Sequence, residues 1–155
     1  MKLNFLTPPK IPKTLPTSLE LEVQKLKQCE NKEEVLNEAY DLLTKKYRGY
    51  RLKTITRIFD LFDINIGTMW SKNGFLHCTN MNYLMKILLL GSLKFSEDDI
   101  EFRWTLINYY SPHEYLRVRV KDNEWLDIDL WGKVYGIKFG THAHGFRSGS
   151  MKTIQ

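Results

Sequence analysis

Apolar residues recur at helical spacing in the first ninety residues and then switch to alternation, so the chain reads as helices followed by strands. Thr17 to Glu20 match the S/T-x-x-E capping box, and an amphipathic pattern follows over residues 17–28. Asn31 offers a second N-cap, with Glu33 and Glu34 in the first turn, where the helix dipole favours acids. Val35, Leu36, Ala39, Tyr40, Leu42 and Leu43 form the apolar stripe of that helix, and Gly49 stops it. Residues 51–62 predict a third helix, with Ile55, Ile58, Phe59 and Phe62 on one face. Residues 63–77 read as irregular, punctuated by Gly67 and Gly74. Residues 78–90 predict a fourth helix that Cys78 opens and Gly91 ends; Met81, Leu84, Met85, Leu88 and Leu89 give it a broad apolar face.

Beyond that helix the period becomes two. Residues 102–110, 115–120 and 124–130 alternate and are rich in Val, Ile and aromatics, which predicts antiparallel strands. Ser111-Pro112 and Asp122-Asn123 supply the turns, residues 135–139 suggest one more strand, and residues 141–155 read as a polar tail. Four prolines make residues 1–16 an extended arm. The expected organisation is that arm followed by one α+β domain over residues 17–155. Its cysteine-bearing helix would be central and packed on an antiparallel sheet.

Composition narrows the class. With 155 residues, 43% hydrophobic and 26% charged, the chain is an ordinary globular sequence with one core. No apolar run approaches the roughly 20 residues that cross a bilayer, and the start lacks a signal-peptide h-region. A cytoplasmic location, free thiols at Cys29 and Cys78, and no membrane partner are therefore expected. The net charge is +5, and Lys45, Lys46, Arg48, Arg51, Lys53 and Arg57 form the one dense basic cluster. Such a cluster is more often a solvated helix face than a groove binder, so nucleic-acid binding is the minority reading.

Chemistry points to one cysteine. A thiol with a free pKa of about 8.5 holds little thiolate at neutral pH, and a helix N-terminus or a nearby imidazole corrects that. Cys78 stands at a predicted helix start. Among four histidines, His77 adjoins it but projects elsewhere, and His142 and His144 form an HxH pair that reads as a surface loop. His113 begins an alternating strand beside a Ser-Pro turn, a position that holds an imidazole rigidly. A catalytic imidazole needs a third group to orient it. Pairing around Asp122-Asn123 puts Asp127 and Asp129 on the face His113 shares, with Asp129 the nearer. Taken alone, each of these residues has a plain structural use, Cys78 as a small buried side chain above all.

The ordered set Gly74…Cys78, Leu90-Gly91, His113-Glu114-Tyr115-Leu116-Arg117-Val118 and Trp125-Leu126-Asp127-Ile128-Asp129 resembles the transglutaminase-like superfamily, over roughly residues 35–131. Its pattern is a cysteine at a helix start, a His-x-aromatic strand, and a Trp followed four residues later by Asp, which selects Asp129. Leu76, Tyr115 and Leu130-Trp131 stand where that family commonly has Gly, Trp and Pro-Thr, the mark of a divergent branch. The resemblance implies a papain-like α+β core and acyl transfer on amide bonds of a protein or peptide. Cys78 would be the nucleophile, His113 the proton carrier and Asp129 its orienter, with no cofactor or metal. Backbone N–H groups at the helix start would form an oxyanion hole, and the Trp70 indole N–H is a candidate further donor. Two other readings stand beside it: a catalytically silent peptide-binding relative, and a basic domain that binds nucleic acid through residues 45–57.

Overall fold

A computed structural model describes residues 10–149 of the chain. It is a mixed α+β structure with an antiparallel sheet. Helix α1 (Thr17–Lys27) and helix α2 (Lys32–Lys46) pack against the long helix α5 (Cys78–Gly91), whose opposite side lies on the sheet. Buried residues surround α5 on nearly every side, which is why it is apolar almost all round rather than striped. At Gly91 a Cβ would stand 2.7 Å from Val23 Cγ1, so the glycine that ends α5 also lets α1 cross closely. Among the described residues no helix is long and apolar enough to cross a membrane.

Strands β3 (Ile100–Ile107), β4 (Ser111–Lys121) and β5 (Glu124–Ile128) form an antiparallel meander in that order. Two short strands, β1 (Tyr47–Arg48) and β2 (Gly74–Phe75), pair in parallel and set the chain just before Cys78. After β5 comes a 3-10 turn, Trp131–Tyr135, and then a closing segment. That segment crosses one face of the sheet. Gly140 bridges to Asp127 on β5, His142 stacks on Tyr115 of β4, and Gly145 bridges to Ile107 on β3. Strands β6 (His142–His144) and β7 (Arg147–Gly149) are its hairpin.

Several local expectations give way to physical detail. Thr17 does not cap α1, because Pro16 takes the cap position and Glu20 instead accepts from Gln24. Asn31 does cap α2, its Oδ1 accepting the Glu34 N–H at 2.9 Å. The third helix is split at Arg57 into α3 (Arg51–Thr56) and a 3-10 turn, Ile58–Phe62, and its apolar face is exposed rather than buried. Residues 63–77 are not irregular, since Asn65 caps a six-residue helix, α4 (Ile66–Ser71). The turn before β4 falls at residues 108–110, where Asn108 and Tyr109 take positive φ, and Ser111-Pro112 is already strand. Residues 135–139 are not a strand, because Gly136 at φ 85° turns the chain back. The tail is not loose over 142–149, and its last six residues lie outside those described. Of the arm, the described part from Lys10 onward lies on the core through Ile11 and Leu15.

Candidate active site

The strand register decides which side chains meet. Leu116 pairs with Ile128 and Arg117 with Asp127, so one step beyond the paired region places Asp129 opposite Tyr115, two residues from His113 on the same face. His113 Nε2 and Asp129 Oδ2 are 2.9 Å apart, and both residues are buried. Cys78, at the start of α5, stands beside His113 and is among the groups that raise its pKa. The structure thus brings together Cys78, His113 and Asp129 from a helix, a strand and the end of the next strand.

Asp129 is held on both oxygens. Oδ1 accepts the Gly132 N–H at 2.8 Å, and Oδ2 accepts the Ala143 N–H at 2.9 Å as well as His113. Gly132 must be glycine here, because a Cβ would stand 2.9 Å from Asp129 Cγ and 2.7 Å from Ile137 Cγ1. Burial works to raise the Asp129 pKa, but the His113 charge and these hydrogen bonds outweigh it and the carboxyl is held below its ordinary value. Burial works to lower His113, yet the Asp129 charge and hydrogen bond raise it to about 10. Both shifts favour the carboxylate–imidazolium form of the pair.

Two further pairs, invisible in the sequence pattern, fix this arrangement. Asn82, one turn along α5 from Cys78, donates Nδ2 to the Glu114 carbonyl at 3.0 Å and to its Oε1 at 3.2 Å. This buckle joins the cysteine helix to the residue after His113. Burial raises Glu114 to about 7, while the Asn82 bond and the His113 charge pull the other way. Asp127 takes the second pair: its Oδ2 lies 2.9 Å from His142 Nδ1, and the His142 ring stacks on Tyr115 with centroids 4.0 Å apart. His142 is thus buried, not a surface-loop residue, and it anchors the strand whose Ala143 N–H holds Asp129. His144 is exposed and pairs with Thr105 Oγ1.

Trp70 does not serve as an oxyanion donor. Its indole N–H is given to Ser18 Oγ at 2.9 Å, and the ring is buried where α4 meets α1. Trp70→Phe should therefore cost stability of about 1–3 kcal/mol in a urea melt and leave the alkylation rate of Cys78 unchanged. A slowed thiol reaction in a variant that is folded would restore the catalytic reading of Trp70. His77, the N-cap of α5, makes no cap bond with its side chain; its Nε2 lies 2.7 Å from the Arg57 carbonyl. The first N–H groups of α5 therefore receive no side-chain cap from His77. Among the described residues no group of three or more His, Cys, Asp and Glu side chains converges as a metal site requires. No family model, no curated protein and no solved structure matches this chain.

Proposed function

We propose that the chain is a cysteine acyl-transfer enzyme of transglutaminase-like, papain-like design, acting on amide bonds of a protein or peptide. The observation that carries this reading is the buried His113–Asp129 pair, with Cys78 beside His113 at a helix start. Sγ would attack the carbonyl, forming a C–S bond as the carbonyl electrons move to oxygen. The first N–H groups of α5, uncapped by His77, would stabilise that oxyanion. His113 would give its proton to the departing amine as the C–N bond breaks, leaving a thioester. Water or an amine would then attack the thioester carbonyl, giving a proton to the now neutral His113 as the C–S bond breaks. The released sulfur and the reprotonated imidazole would restore the starting pair. Asp129 would keep the imidazole in register and stabilise its charge throughout.

The molecule carries its own control. Cys29 is also a free thiol, but burial and the nearby Glu34 and Glu38 push it up. Iodoacetamide at pH 6, with the labelled sites mapped by mass spectrometry, is expected to modify Cys78 well ahead of Cys29. Equal or slower reaction of Cys78 would remove the enzyme reading and favour a silent relative that only binds peptide.

A further inference from the structure

The segment from Tyr50 to Phe62 is tied to the rest of the molecule mainly at its two ends. At its start the Arg51 N–H donates to Tyr135 Oη at 2.9 Å, and the Arg51 guanidinium lies over the Tyr135 ring. Tyr135 packs on Trp131, which in turn packs on His113. At the far end the Arg57 carbonyl meets His77, and the Asp60 carbonyl accepts from Asn80 Nδ2 at 3.3 Å. His77 and Asn80 flank Cys78. The segment therefore spans from the wall beside the imidazole to the residues around the thiol.

Between those ties it buries none of its own side chains. Ile55 is 74% exposed, Phe59 83% and Phe62 73%, with Leu52 and Ile58 also exposed. Apolar side chains gathered like this on a surface mark a place where something docks. Cations run through the same stretch, and among the described residues no ion pair engages Arg48, Arg51 or Lys53. A cavity of about 170 Å³ continues the surface between Arg51, Trp131, Tyr135 and Phe146.

We propose that this strap docks an acidic, apolar segment of the protein substrate beside Cys78; that the docked segment is a substrate rests on the acyl-transfer reading. Charge selects the occupant. Two copies of the strap laid face to face would oppose Arg48, Arg51 and Lys53 to the same cations. An anionic membrane surface would press headgroups onto Asp60 and Asp63, which lie within the apolar run. A polypeptide with interspersed leucine, phenylalanine and glutamate satisfies both the apolar side chains and the cations.

The test uses the full chain and a fluorescein-labelled dodecapeptide of Glu, Leu and Phe. One comparison peptide has Lys in place of Glu, and another has Ser in place of Leu and Phe. Anisotropy is expected to show the first binding about tenfold tighter than either of the others. It should also slow iodoacetamide alkylation of Cys78. Ile55→Ser/Phe59→Ser should weaken that binding about tenfold, and Arg51→Glu/Lys53→Glu should move the preference to the Lys peptide. Both variants change exposed positions; because Arg51→Glu also removes the contact with Tyr135, each variant is read only after a urea melt shows it folded as the wild-type chain. Equal binding of the three peptides, or binding indifferent to both variants, overturns the docking proposal while Cys78 reactivity stands. Selective binding with Cys78 inert keeps the docking surface and overturns the enzyme reading instead. Sedimentation with anionic vesicles through Phe59, without competition from the peptide, would overturn the peptide occupant in favour of a membrane.

Discussion

Asp129→Ala is expected to destabilise the fold by about 3–5 kcal/mol in urea denaturation at pH 6, the range found when one partner of a buried ion pair is removed. The carboxylate accepts from His113, Gly132 and Ala143, so alanine strands a buried imidazolium and two backbone N–H groups together. The pH dependence carries a sign that separates this from simple loss of packing. His113 is raised, so its contribution is complete below its ordinary value of 6.5 and is lost as the pH rises toward about 10. Asp129 is lowered, so its contribution is present above its ordinary value of 3.8 and is lost as the pH falls further. The difference between the wild-type chain and Asp129→Ala should therefore be widest between those two values and shrink on either side. A difference that stays constant from pH 4 to pH 10 would show that the pair is not ionised.

Legibility in the sequence follows how local each determinant is. Helix α5 is plain because an apolar run begins at a turn and ends at Gly91, and the meander is plain because alternation and Asp122-Asn123 set its register. That register brings Asp129 near His113, and the Trp125-to-Asp129 spacing of the resemblance is what selects it over Asp127. Helix α4 escapes because six residues are too few to show a period, although Asn65 announces it. Residues 51–62 show a different limit. Their apolar period is real, but a period shows only that a face exists; here none of the described residues covers it. His142 escapes for the opposite reason. A polar residue reads as surface unless its partner is known, and Asp127 is brought to it by a closing segment that reads as a tail.

These failures share a location. The segment at 50–62, the crossing at 140–145 and the Asn82–Glu114 buckle all surround the Cys78–His113–Asp129 group. Sites of chemistry are where local rules are broken and compensated elsewhere. A buried histidine pair and an uncovered apolar face both conflict with binary patterning. The first is compensated by hydrogen bonds, while the second stays exposed among the described residues.

His113→Ala is expected to slow alkylation of Cys78 at pH 6 by about tenfold to a hundredfold, because a thiol without a cationic neighbour holds little thiolate there. Alanine also leaves the Asp129 carboxylate buried without the imidazolium, so loss of folding is a competing explanation. His113→Gln separates the two. Its amide N–H can donate to Asp129 Oδ2 and keep the carboxylate satisfied, yet it cannot carry a proton at any working pH. A folded glutamine variant with the pH 6 deficit intact would place the effect in the charge of the imidazole. A glutamine variant as reactive as the wild-type chain at pH 6 would show that Cys78 owes nothing to that charge, and the triad would have no chemical role for His113 to play.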